Sequence, residues 1–122
     1  MNINGTYKSQ DGAFTLTIAN ANEGNGTFGG SYVSTYTPQG QQTFSVLAGI
    51  WNYVGNPATI TPNSIAFIAN IRPNNWPYCI QDSWSGVMTQ QGQILLTGVR
   101  SYLSANGTYV LSSLGTMPFS AQ

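Results

Sequence analysis

Short runs of strand-forming residues alternate with turn clusters along the whole chain, and no helix-length segment interrupts them. Nowhere do a dozen residues keep apolar positions at i, i+3, i+4 and i+7 without Gly, Pro or a run of β-formers between them. The runs are Gly5–Lys8, Ala13–Ala19, Thr27–Thr35, Gln42–Tyr53, Ser64–Ile71, Ser83–Thr89, Gln93–Leu103 and Tyr109–Phe119. In Ala13–Ala19, Phe14, Leu16 and Ile18 alternate with Thr15 and Thr17, the period of a half-buried strand. The connecting clusters QDG, NANEGNG, TPQGQQ, VGNPATITPN, RPNNWP, TQQGQ and SANG supply Gly and Asn for positive φ or Pro for fixed φ.

One phrase recurs: Asn4-Gly5-Thr6-Tyr7, Asn25-Gly26-Thr27-Phe28 and Asn106-Gly107-Thr108-Tyr109. Asn-Gly is the favoured centre of a tight hairpin, because both residues tolerate positive φ. The phrase therefore reads as a strand launch. It also fits the N-x-T glycosylation pattern, which turn chemistry produces by itself. The three copies keep no fixed period, which excludes a solenoid.

Eight strands with short connections predict an antiparallel meander in one domain spanning 1–122. An open sheet of that size leaves edges prone to aggregation, whereas closure into a barrel removes them. An eight-stranded barrel encloses packed side chains or one small ligand.

Composition narrows the function. Only Lys8, Asp11, Glu23, Arg72, Asp82 and Arg100 are charged, and they sum to zero. Three basic residues cannot supply the phosphate contacts of a nucleic-acid binder. No run of about eighteen apolar residues is present to form a transmembrane helix. The opening MNINGTYKS lacks the leader of a signal peptide, and the neutral polar composition also suits a protein acting outside the cell, so the compartment stays open. Zero net charge removes a source of repulsion between copies and favours a homo-oligomer, a dimer or tetramer. The chain has no His, which excludes Ser-His-Asp and Cys-His nucleophile systems. Cys79 is alone, so no internal disulfide or thiolate metal site is expected. The three carboxylates are far apart in sequence. A non-enzymatic protein with no cofactor and no metal is expected.

Several short segments, in order, resemble the avidin and streptavidin family: Gly5-Thr6-Tyr7 with Asp11-Gly12-Ala13-Phe14-Thr15, Gly30-Ser31-Tyr32-Val33-Ser34, Val46-Leu47-Ala48-Gly49, Trp84-Ser85-Gly86, Ile94-Leu95-Leu96-Thr97, and Leu114-Gly115-Thr116-Met117-Pro118-Phe119. The resemblance implies an eight-stranded up-and-down barrel, often tetrameric, that binds biotin at one open end. It also implies a degraded site. Of the Asn, Ser and Tyr that hold the ureido oxygen, Tyr32 keeps the Tyr, the Asn position falls on Ser9, and the Ser position falls on Ala13. The last-strand acid or amide becomes Met117. Of the Trp walls, Trp84 remains and Ile94 replaces the seventh-strand ring. The fifth-strand ring falls on Ala69 or Ile71, and the ring lent by a neighbouring subunit falls near Tyr109. Lost hydrogen bonds of about 1.5–3 kcal/mol and lost rings of about 3 kcal/mol leave biotin binding weak or absent.

The ligand-site candidates are thus Ser9, Tyr32, Ser34, Tyr36, Trp84, Ile94, Leu96, Tyr109 and Met117, for a biotin-like or other small molecule or a glycan. Each has a plainer reading. Tyr32 and Trp84 also serve as barrel filling, and Ser9, Ser34 and Tyr36 follow from strand alternation. Met117 suits a packed interior. Arg100 could pair with Asp82 or Glu23 or cross a subunit boundary, but a solvated strand charge is the plainer expectation. The Asn74-Asn75-Trp76-Pro77-Tyr78 segment could stack on a sugar in a lectin-like or toxin-like mode, or fold over the barrel mouth. A structural oligomer with a filled barrel is the remaining alternative.

Overall fold

The computed structural model describes residues 2–53, 63–72, 78–104 and 106–122. It contains eight strands: β1 (Gly5–Ser9), β2 (Phe14–Asn22), β3 (Thr27–Ser34), β4 (Gln42–Tyr53), β5 (Asn63–Ile71), β6 (Tyr78–Met88), β7 (Ile94–Ser104) and β8 (Tyr109–Ala121). Each pairs antiparallel with its sequence neighbour, and β8 returns to β1 to close the barrel. The expected all-β, up-and-down barrel is what forms.

Alternation decides which residues face the lumen. Phe14, Leu16 and Ile18 from β2, Phe44 and Trp51 from β4, Ile65 and Phe67 from β5, and Ile94 and Leu96 from β7 are all buried. Their rings fill the interior: Phe14 meets Trp84 edge-on at 5.0 Å between centroids, and Trp84 meets Phe119 at 5.2 Å. Tyr32 meets Phe44 at 5.3 Å and Phe67 at 5.5 Å. Glycine makes room for such large rings. A Cβ on Gly98 would lie 2.7 Å from the Trp84 ring, so only a residue without a side chain can sit beneath that indole. Ladder register shifts within β2–β3, β3–β4, β4–β5 and β7–β8. Such irregularities let a sheet bend strongly enough to close.

Two expectations are corrected. Strand β6 begins at Tyr78, five residues before Ser83, because Tyr78, Ile80 and Asp82 continue the inward alternation of Trp84. The neighbouring Pro and Asn cluster and the inward acid hide that pattern. In the repeated phrase, Gly26 and Gly107 take positive φ (67° and 78°), but Asn25 and Asn106 do not; Asn20 is the positive-φ residue other than glycine among the described residues. Instead Asn25 Oδ1 accepts from the amide and hydroxyl of Thr27 at 3.2 and 2.6 Å. Asn106 does the same for Thr108 at 3.2 and 2.8 Å. In these two copies the launch works through a side-chain cap on the Thr at the strand start, whereas Asn4 Oδ1 accepts from the Ala21 amide of β2 at 3.0 Å.

Candidate functional site

The β1–β2, β3–β4 and β7–β8 connections lie at one end of the barrel, called here the upper rim. Just inside it, three strands place polar groups toward one another. Tyr32 sits inward on β3, and Ser34 lies two residues on, hence on the same face. Asp82 and Trp84 share the inward face of β6. Arg100 is the register partner of Asp82 on β7 and follows the inward row of Ile94, Leu96 and Gly98.

These groups form one connected network. The Tyr32 hydroxyl donates to Asp82 Oδ2 at 2.7 Å and accepts from Trp84 Nε1 at 3.0 Å. Arg100 grips the same carboxylate with Nε on Oδ1 at 2.7 Å and Nη2 on Oδ2 at 2.8 Å. Nη2 also donates to Ser34 Oγ at 3.1 Å, and Nη1 donates to the carbonyl of Tyr36. Ser34 Oγ accepts a second bond from the Tyr36 amide at 3.1 Å. Four of the five guanidinium N–H donors are therefore engaged, leaving one on Nη1.

The pair is withdrawn from water: the Asp82 side chain is 0% exposed and that of Arg100 12%. This overturns the expectation of a solvated strand charge at Arg100. Alternation places both residues inward, where each charge requires the other. Burial works against the Arg100 cation, but the hydrogen bonds and charge of Asp82 outweigh it, so the guanidinium pKa stands above its ordinary value. Burial pushes the Tyr32 phenol far above its ordinary range, and the Asp82 charge and hydrogen bond add to that. Tyr32 is thus a neutral donor across the working pH range.

The other candidates are placed as follows. Ser9 is buried at the β1–β2 turn, where Oγ donates to Asp11 Oδ1 at 2.7 Å and accepts from the Phe14 amide at 3.0 Å. Its polar atom is thereby engaged within the turn. Ile94 and Leu96 are fully buried, and the half-buried Met117, the register partner of Leu96, packs on the same core. Ala69 is buried directly across the ladder from Asp82. Tyr36 is exposed at the rim, its ring edge-on to Phe14 at 5.5 Å. Tyr109 stands apart from this network, exposed at the start of β8. Asn74, Asn75, Trp76 and Pro77 lie outside the described residues. Tyr78, which ends that segment, is buried and stacks on Tyr102 at 5.9 Å.

Sequence reasoning passed over Asp82 and Arg100 as site members. Their signal was parity: each lies an even number of residues from the apolar inward row of its own strand. Among the described residues, no three His, Cys, Asp or Glu side chains gather as a metal site. No helix among them is long and apolar enough to cross a membrane. In sequence comparison, no family profile and no curated protein matches this chain.

Proposed function

We propose that this chain is a non-enzymatic small-ligand-binding barrel of avidin type whose lumen is closed to biotin and whose ligand meets the upper rim. One observation carries the reading. The Tyr32 hydroxyl, the donor that the family resemblance assigns to the ligand's ureido oxygen, is engaged by Asp82, and Arg100 locks that acid in place. The protein's own carboxylate stands where a ligand acceptor would be needed. Admitting biotin would require breaking three charge-assisted hydrogen bonds and displacing a buried ion pair. What remains open is the rim above the pair, where Tyr36 is exposed and Arg100 keeps one N–H.

The same proposal includes self-assembly. Strands β4 to β7 hold only two charged residues, Asp82 and Arg100, and both point inward. The outer face of these strands is therefore uncharged and carries exposed Ile50, Ile68, Val87, Leu95 and Val99. A patch of that character favours contact with another copy.

Titrating biotin against Trp fluorescence tests the first part: no change at millimolar biotin is expected, and nanomolar capture refutes the closed lumen. A fragment screen by ligand-observed NMR tests the rim. Hits that weaken in Tyr36→Ala support it, and a barrel that yields no hits, or hits indifferent to that change, counts against it.

A further inference from the structure

We infer that the free edge of β8 pairs antiparallel with the same edge of a second copy of this chain, centred on Leu111. The barrel closes through a short seam. Only Tyr7, Lys8 and Ser9 of β1 pair with β8, and they reach only Phe119–Ala121. Two further bonds flank it, one from the Gln122 amide to the Thr6 carbonyl and one from the Gln10 amide to the Pro118 carbonyl, after which the chain turns away into β2. Upstream of that point, Tyr109 to Met117 have β7 on one side and no described strand on the other. The segment extends about 30 Å at a strand's rise per residue. Its first five residues are exposed on both faces, with Tyr109 at 81%, Leu111 at 79% and Val110 at 41%.

Natural sheets protect such edges with charges, with Pro, with brevity, with a bulge or with a cover. The ladder irregularity of β8 falls at Ser113–Gly115, so Tyr109–Ser113 is the regular part of the edge, and that part lacks the first three. No charged residue occurs from Ser101 to Gln122, Pro118 lies at the end that is already paired, and β8 is 13 residues long. The missing charge also identifies the occupant. Across a two-fold axis the edge meets the same edge, with only the central residue against its own copy, so an edge bearing one sign of charge repels itself while a neutral one does not. Centring on Leu111 sets it against its mate and Tyr109 against Ser113, which buries the two most exposed apolar side chains of the strand. The zero net charge of the whole chain adds no long-range repulsion.

This contact is distinct from association through the outer face of β4–β7, and the two give different results in one set of measurements. Sedimentation and amide hydrogen exchange are run together on the intact chain at low and high micromolar concentration, for the wild type and for Leu111→Lys. Leu111 is exposed, so the lysine leaves the melting temperature of the dilute protein unchanged. The expected wild type forms a dimer, or a higher even-numbered assembly, in which amides of 109–113 exchange at least tenfold more slowly at the higher concentration. In Leu111→Lys that protection is lost and the pairing weakens at least tenfold. As a second measurement, Leu111→Cys in a Cys79→Ser background forms a covalent dimer on mild oxidation. The proposal is overturned if the 109–113 amides exchange at the same rate at every concentration, if Leu111→Lys assembles and protects the edge as the wild type does, or if the cysteine variant stays monomeric. An assembly that persists in Leu111→Lys with fast-exchanging edge amides assigns association to the outer face, and leaves the rim reading untouched.

Discussion

Replacing Asp82 by Ala removes the acid that two other groups, Arg100 and Tyr32, depend on. Arg100 is left as a largely buried cation with neither of its charge-assisted bonds to a carboxylate, and the Tyr32 hydroxyl loses its acceptor. Breaking one half of a buried ion pair costs about 3–5 kcal/mol, and stranding a buried hydroxyl about 1–3 kcal/mol. The two overlap, because the groups share one network. We therefore expect a loss of about 4 kcal/mol, out of a total of about 5–15 kcal/mol for a domain. With a urea dependence of about 2 kcal/mol per molar, the unfolding midpoint falls by about 2 M. Trp84 touches Tyr32 directly, so its fluorescence in a urea titration reports the change. The apolar double variant Asp82→Leu with Arg100→Met removes both charges together, and is expected to recover most of the loss. A midpoint shift below about 0.5 M for Asp82→Ala would refute the reasoning, since it would mean that water already reaches the pair.

Gly98→Ala drives a methyl group into the Trp84 ring and is expected to cost about 1–3 kcal/mol, read as a fall in melting temperature; an unchanged melting temperature would show that the indole moves aside freely. The raised pKa of Tyr32 has a definite sign. Its contribution to stability is complete below the unfolded value of about 10 and is lost as pH rises from there toward the folded value. Alkaline unfolding should therefore be steeper in the wild type than in Tyr32→Phe, followed by circular dichroism between about pH 10 and 12, and identical slopes would contradict it. Asn25→Ala removes the acceptor that caps Thr27 and should lower stability by about 0.5–1 kcal/mol, measured by urea unfolding; no loss would show that the turn holds without the cap.

Much of the fold was legible because period-two alternation and turn residues are local signals. β2 displays Phe14, Leu16 and Ile18 to any reader of the chain, and Gly12, Gly40 and Gly92 mark hairpin turns with φ of 76°, 79° and 79°. The candidate site was less legible, because its decisive contact joins Tyr32 to Asp82 across 50 residues and depends on barrel closure to bring them together. A charge at an inward position also imitates a break in a strand, which is why the start of β6 was set too late. Arg100 was misjudged for the same reason: in isolation a strand arginine belongs in water, and only the register with Asp82 explains why this one does not. The repeated Asn-Gly-Thr was placed correctly at strand starts, but its mechanism depends on a side-chain contact that the letters do not display.

The brevity of the β1–β8 seam has a consequence for how the molecule is made. Residues 7–9 can find their partners only after 119–121 have been synthesised, so the cylinder stays unsealed until all eight strands are available. Ring closure between the two ends of a chain carries a large sequence separation, and such late contacts slow folding. During that interval the apolar lumen faces solvent through an open slot, the kind of exposure that invites aggregation.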